Sequence, residues 1–244
     1  MKASIQHIAE ALLWALFATP ALGGVFSVSP VRIYMSPQER ANAVTVVNEG
    51  DEPVVMQADL FAWRQSATGD DQLVPTEDLL LSPPIISLAP RARQVVRLAR
   101  LVAMAPGEQT SYRMILREVV EARPKQGQQS VQVALAFSIP VFFTPPAAKR
   151  LVDCQAERSA SRVSASCGNR GSAYAQPREF VLRGGDGSVW ASRDSGGYIL
   201  PGARRSFELK PAGPDVPADS SGTATLAVTF DDSVTEVFAV SVEP

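Results

Sequence analysis

Ser130-Val131-Gln132-Val133-Ala134-Leu135-Ala136-Phe137-Ser138-Ile139-Pro140-Val141-Phe142-Phe143 is the stretch that decides how the rest of the chain is read. Its odd positions, from Val131 to Phe143, are all apolar, and the even ones are mostly small or polar. A period of two held this long predicts a β-strand with one continuous apolar face. At about 3.3 Å per residue the strand would run about 40 Å, against about five or six residues for an ordinary one. A small sandwich core has no use for all of that face. Pro140, which has no amide hydrogen, belongs on an edge strand or at a bulge. Long apolar edges are normally avoided because they invite pairing with another chain. Two readings follow. Either the row is plain core, or the strand is added to a partner, with backbone bonds giving affinity and alternate side chains filling pockets.

The 244 residues are 45% hydrophobic and 20% charged, a globular composition with room for a buried core. A net charge of −2 offers no electrostatic reason to expect nucleic acid. Residues 1–24 have the layout of a secretory signal: Lys2, an apolar run from Ala11 to Phe17, then small residues up to Gly23 and Gly24, where cleavage is expected. Glu10 makes the start less basic than usual and leaves an uncleaved anchor as the alternative. The apolar run is too short for a comfortable membrane span, so the mature chain is expected to be exported and soluble. Export makes a disulfide permissible for the two cysteines, Cys154 and Cys167. Their spacing fits neither a redox pair nor a zinc set, which leaves a structural disulfide between neighbouring strands or two buried free thiols.

The only histidine, His7, lies in the signal. That removes Ser-His-Asp and Cys-His catalysis and most zinc and iron sites from the mature chain. No Gly-rich phosphate loop follows a strand and opens a helix. The carboxylate pairs Asp70-Asp71, Glu77-Asp78 and Asp231-Asp232 fall in predicted turns and read as solvated. No catalytic residue, metal, cofactor or small-molecule substrate is therefore expected.

Outward from the opening stretch the pattern is β throughout. Strands are expected around 26–34, 43–48, 54–63, 94–101 and 112–119, with a Pro-interrupted edge segment at 79–88, separated by Pro/Gly turns and a polar loop at 64–72. Pro145-Pro146-Ala147-Ala148 reads as a linker. Beyond it shorter strands are expected at 151–157, 161–168, 172–182, 188–193, 205–209, 223–230 and 235–242. The fold class is all-β, two immunoglobulin-like β-sandwich domains in tandem, over 25–145 and 146–244. No internal sequence repeat is evident. Arg32, among apolar neighbours, is either a cation held for a carboxylate or a rim residue.

An ordered set of motifs carries a family resemblance. Phe-Ser-Val-Ser-Pro-Val-Arg at 26–32, Val-Val-Asn at 46–48, Ala-Asp-Leu-Phe-Ala-Trp at 58–63 and Leu-Ser-Pro-Pro at 81–84 come first. Arg97-Leu98, Tyr112 with Leu116-Arg117-Glu118, and Ile-Pro-Val-Phe-Phe-Thr-Pro at 139–145 complete it. Together these resemble the periplasmic pilus-assembly (PapD-like fimbrial) chaperones, and Ile139-Pro140-Val141-Phe142 looks like their archaic branch, associated with Csu-type and spore-coat-U-like pili. The resemblance implies binding of pilin subunits whose incomplete immunoglobulin fold lacks a strand, followed by delivery to an outer-membrane usher. It implies that Val131, Val133 and Leu135 are donated to the subunit, with Phe137 and Ile139 continuing the row, while the segment from Ile139 to Phe143 serves the chaperone's own core. Arg32 matches the residue that anchors the subunit's C-terminal carboxylate. The family's second anchor is a lysine late in the same strand, and Pro140 stands there instead. Arg113 or Arg117 is then the candidate replacement cation, unless packing alone suffices. An unloaded chain with such an edge is expected to be able to self-associate. The rival reading is an exported two-domain adhesion or structural module without chaperone activity.

Overall fold

Apolar–polar alternation decides the buried face of nearly every strand. In Arg93–Arg100, for example, Val96 and Leu98 are fully buried and Val95 and Arg97 face water. The computed structural model describes residues 26–103, 106–120, 134–159, 162–213 and 223–241. The expected signal and the positions of Val131 and Val133 lie outside these residues.

The N-terminal domain comprises β1 (Phe26–Ser29), β2 (Ile33–Met35), β3 (Ala41–Asn48), β4 (Val54–Gln65) and β5 (Asp71–Pro75). These are followed by β6 (Leu79–Ser82), β7 (Ile85–Leu88), β8 (Arg93–Arg100), β9 (Thr110–Glu118) and β10 (Ala136–Phe143). One sheet has the order β1-β3-β8-β6; the other has β2-β10-β9-β4-β5, with β7 also paired to β4. The first strand is shared between them, since the chain leaves one sheet after Ser29 and enters the other at Ile33. Between the sheets lie Val44, Val46, Met56, Leu98, Met114, Leu116, Val141 and Phe143.

The C-terminal domain comprises β11 (Val152–Ser159), β12 (Arg162–Asn169), β13 (Pro177–Arg183), β14 (Val189–Asp194), β15 (Arg204–Pro211), β16 (Thr223–Phe230) and β17 (Thr235–Ser241). Their order is β11-β12-β15-β14-β13-β16-β17. Its two halves are joined by only a short β14–β15 pairing, Ala191↔Pro211 and Ser192↔Lys210. The sheet folds over at that seam, enclosing Phe180, Leu182, Phe207, Leu226, Val228 and Phe230. Cys154 and Cys167 face each other across β11 and β12 and are disulfide-bonded. The protein is thus all-β, with two immunoglobulin-like sandwiches in tandem.

The two domains share a device that no sequence repeat reveals. Asn48 ends β3 and Asn169 ends β12, each is followed two residues later by glycine, and each is essentially unexposed. The Asn48 carboxamide accepts the Gly50 N–H at 2.9 Å and donates to the carbonyls of Glu52 (2.7 Å) and Ala89 (3.1 Å). The Asn169 carboxamide accepts the Gly171 N–H at 3.0 Å and donates to the carbonyls of Ala173 (2.8 Å) and Ile199 (3.0 Å). Each side chain makes an Asx turn and also ties that turn to a neighbouring loop.

A separate buried cluster joins the domains. Phe142 points away from the N-terminal core and packs with Trp63 and Leu200, flanked by Tyr174 and Tyr198. Its ring stacks on Tyr174 with centres 4.2 Å apart and lies 5.7 Å from Tyr198 and 6.0 Å from Trp63. Polar ties flank the rings. Gln109 donates to the Thr144 hydroxyl at 2.7 Å and accepts the Tyr174 N–H at 2.9 Å. Gln65 donates to the Tyr198 carbonyl at 3.0 Å and accepts the Leu200 N–H at 2.8 Å. The connection after β4, shorter than the expected loop, is pinned as well: the Arg204 N–H donates to the Ala67 carbonyl at 3.1 Å. Gly69, at φ +82°, leaves room for the Arg205 side chain, which a Cβ there would overlap.

Replacing Asn48 or Asn169 by Ala orphans buried amide and carbonyl groups, and each variant should lose about 1–3 kcal/mol in urea unfolding. A loss under about 0.5 kcal/mol, the size of an ordinary surface change, would show that the turns hold without the carboxamide. Phe142→Ala should cost about 3–5 kcal/mol and split calorimetric unfolding into two transitions; a single transition at the original temperature would deny the cluster its coupling role.

Candidate functional site

The register of β10 determines what its edge offers. Pairing with β9 runs from Ala136↔Arg117 to Phe143↔Thr110. One step earlier, the Glu118 N–H donates to the Leu135 carbonyl at 2.9 Å. Directly opposed residues that share such a bond recur at every second position of an antiparallel ladder. The backbone groups of Leu135, Phe137, Ile139 and Val141 therefore face β9, and those of Ala136, Ser138, Pro140 and Phe142 face the other way. The Thr144 N–H confirms this parity by donating to Met35 of β2 at 3.1 Å. β2 pairs in parallel only with Val141–Phe143. Among the described residues, Ala136–Pro140 has no strand neighbour on that side. Pro140 sits where its missing hydrogen costs no bond to β9, as expected of an edge.

Side chains follow the same parity. Val141, Ile139 and Phe143 enter the N-terminal core. Phe137 is half-buried at the rim against Phe26, with ring centres 4.8 Å apart. Leu135, on the same face, is 37% exposed. The row thus passes from core to solvent between Ile139 and Leu135. Ile139 was expected both to continue the contact row and to begin the segment that serves the core, and its side chain goes to the core. Ile139 is only 2% exposed and is enclosed by its own domain, so its side chain is not available to a partner. The described strand spans Ala136–Phe143, and residues 130–133 of the expected strand lie outside the described residues.

Arg32 lies between β1 and β2 beside this edge, in a cleft of about 630 Å³ between the domains. Its Nη1 donates to the hydroxyls of Tyr34 and Tyr174, each at 2.9 Å, and to Asp231 Oδ2 at 2.5 Å. Its Nη2 donates to Gln176 Oε1 at 2.5 Å. The Tyr174 hydroxyl donates its one hydrogen to Asp231 at 2.8 Å, so in the 2.5 Å contact between the two tyrosine hydroxyls Tyr34 is the donor. Burial alone would lower the Arg32 pKa, but the bonds to Tyr34 and Asp231 and the surrounding tyrosines more than offset it. Burial, with the same hydrogen bonds, pushes the Tyr174 hydroxyl well up. The cluster is a fixed cation in a ring of neutral acceptors and one carboxylate.

Arg113 lies directly opposite Pro140 on β9 and on the same sheet face. Its guanidinium carbon is 3.7 Å from the Trp63 ring centre and 5.4 Å from that of Tyr198. Arg32 approaches the same Tyr198 ring at 5.3 Å, so two cations flank one aromatic. Burial holds the Arg113 guanidinium below its ordinary pKa, against the opposing field of Asp71. Arg117, opposite Ala136, is farther out and exposed, in an ion pair with Asp59 at 3.3 Å.

Sequence reading missed the partners of Arg32. Tyr174 and Gln176 fall within a span read as strand, which is irregular until β13 begins at Pro177. The pair Asp231-Asp232 was expected to be solvated. Instead Asp231 ties Arg32 and Asp232 ties Arg150, because the β16–β17 hairpin packs into the cleft. Asp71 of the earlier pair accepts the Trp63 indole N–H at 2.9 Å.

No curated protein sequence matches the chain. The family profile described as "Pili and flagellar-assembly chaperone, PapD N-terminal domain" matches residues 25–149. Among solved structures, the chain is similar to one in the CsuC–CsuE chaperone–tip adhesion subunit pre-assembly complex from the archaic Csu pili of Acinetobacter baumannii. Identity is 18% over 90% of this chain and 100% of that one, with a TM-score of 0.61. The E. coli chaperone DraB matches at 20% identity over 90% and 97% of the two chains, TM-score 0.55. The Pseudomonas aeruginosa CupB2 chaperone matches at 18% over 89% and 100%, TM-score 0.53. At these identities the structural likeness establishes the fold, and the profile match establishes the family. The chain belongs to the pili and flagellar-assembly chaperones that carry the PapD N-terminal domain.

Proposed function

We propose that this protein is a periplasmic chaperone that captures pilin subunits by lending them the N-terminal part of the β10 segment, then delivers them to an outer-membrane usher. Residues 1–24 serve as a cleaved export signal, and the two working domains are 25–145 and 146–244. The observation that carries the reading is the open side of Ala136–Pro140, continued by an apolar row that leaves the protein's own core at Phe137. Outward-facing backbone groups at Ala136 and Ser138 suit addition of a strand. Val131, Val133 and Leu135, with Phe137 at the rim, supply side chains for a groove that lacks one. An archaic, Csu-type role is supported by Pro140 in place of the second anchoring lysine and by the similarity to the chaperone–subunit complex of Csu pili.

In this reading Arg32 holds the subunit's terminal carboxylate, because a guanidinium beside a strand edge recognises that group by paired, charge-assisted bonds. Arg113 is the better supported second cation, being beside Pro140 and free of a short ion pair among the described residues. Arg117 contributes less, since Asp59 already compensates it. The unloaded edge also offers a route to self-association.

Replacing Val133 and Leu135 together by Asp should abolish capture. Two such side chains contribute about 3–6 kcal/mol of burial, or roughly two to four orders of magnitude in affinity. A co-expressed pilin that stays soluble and still co-purifies with the double variant would refute strand donation. Arg32→Ala should weaken capture by roughly tenfold to a hundredfold, as expected for a lost charged hydrogen bond. Unchanged affinity would place the carboxylate anchor elsewhere.

A further inference from the structure

Arg32 already holds a carboxylate. The two Nη1 hydrogens are shared among three acceptors, one of which is Asp231, and the side chains of the pair are only 22% and 16% exposed. The charge of this cation is therefore matched within the chain. A second carboxylate arriving at Nη1 would find no spare hydrogen and would meet the like charge of Asp231 at close range. The two cannot share the guanidinium cheaply in a half-buried cleft, where such repulsion is poorly screened.

The partners also come from different domains. Arg32 belongs to the N-terminal sandwich, whereas Asp231 opens the β16–β17 hairpin of the C-terminal one. The same hairpin is fastened through Asp232, which with Glu236 pairs Arg150. The Asp231 N–H donates to the Gln176 carbonyl at 3.0 Å. The hairpin thus keeps its other ties when Asp231 lets go, so the Arg32 contact can be exchanged without unfolding it.

We propose that Asp231 is an in-chain stand-in for the subunit's terminal carboxylate. The incoming carboxylate takes Arg32 by displacing Asp231, and the exchange loosens one tie between the two domains. This rests on the carboxylate-anchor reading of Arg32 and adds to it a residue that sets capture affinity and couples capture to domain freedom. Such coupling is reciprocal: whatever weakens the internal pair strengthens the external one.

The test uses the full mature chain and a Csu-type pilin subunit in two forms, one with its native C-terminus and one extended by Gly-Gly to move the carboxylate. Asp231→Asn keeps the side chain's shape and removes its charge. It should tighten capture of the native pilin on the order of tenfold, within the usual range of coupling between sites, with no gain for the extended form. Asp231→Glu, which restores a carboxylate, should return capture to the wild-type level. If Asp231→Asn leaves capture of the native pilin unchanged or weakens it, while Arg32→Ala erases the preference for the native form, the stand-in proposal fails and the anchor reading survives. If the wild-type chain does not distinguish the two pilins and Arg32→Ala captures them equally well, both fail. For the domain tie, spin labels on cysteines introduced at exposed Leu80 and Val237 report the interdomain distance, the native cysteines being bonded to each other. Asp231→Asn should broaden the distance distribution. A distribution identical to wild type would overturn the coupling.

Discussion

The parity of one strand underlies the whole arrangement. Because β10 pairs with β9 in a register fixed by the Glu118–Leu135 bond, every residue along it has two assigned directions, one for its side chain and one for its backbone groups. Odd side chains build the N-terminal core, and the even Phe142 builds the cluster that joins the domains. Even backbone groups meet β2 from Phe142 onward and, among the described residues, meet no strand at Ala136 and Ser138. A slip of one residue would turn Phe142 into the sandwich core and expose Val141 and Phe143 to the cleft. Core, interdomain seam and open edge are therefore specified by one register. The proline is compatible with it because its nitrogen falls on the unpaired side.

The second constraint is electrostatic. A cleft that holds Arg32 half-buried must compensate its charge, since an isolated buried cation is costly. Tyr34, Tyr174, Gln176 and Asp231 do this together. Arg113 is treated differently, with its guanidinium laid on Trp63 and, among the described residues, no carboxylate in a short ion pair with it. Both cations approach the Tyr198 ring, one paired to a carboxylate and the other laid over Trp63. Weakly hydrated guanidinium tolerates such sites where an ammonium would not, which suits an arginine on β9 to a cleft whose neighbouring strand position is a proline.

Much of this was legible in the sequence where the information is local. Period-two patterning located most of the strands to within a few residues, as in the expected 223–230 for Thr223–Phe230, but it gave no strand at Asp71–Pro75 and began the one at Pro177–Arg183 five residues early. It also placed Arg113 and Arg117 on one face of their strand, and Pro140 marked the edge. What escaped was set by distant contacts. Asp231 looked like any turn aspartate because its partner is 199 residues away. Tyr174 and Gln176 extend an alternating pattern that the chain abandons to reach the cleft. The twin roles of Asn48 and Asn169 left no repeat in the sequence, since an Asx turn needs only the asparagine and a permissive residue after it. Ile139 could not be separated from Leu135 by periodicity. Both are odd positions of one row, and only the extent of the opposing sheet decides where burial ends.

The central claim is that the open side of β10 is where another chain adds its strand. Amide hydrogen exchange, read residue by residue by NMR with and without a bound pilin subunit, tests it most directly. The account predicts that the Ala136 and Ser138 amides exchange fast in the free protein and become protected in the complex, while those of Phe137 and Ile139 are already protected by β9. Ala136 and Ser138 amides that stay fast in a complex of demonstrated stoichiometry would contradict it.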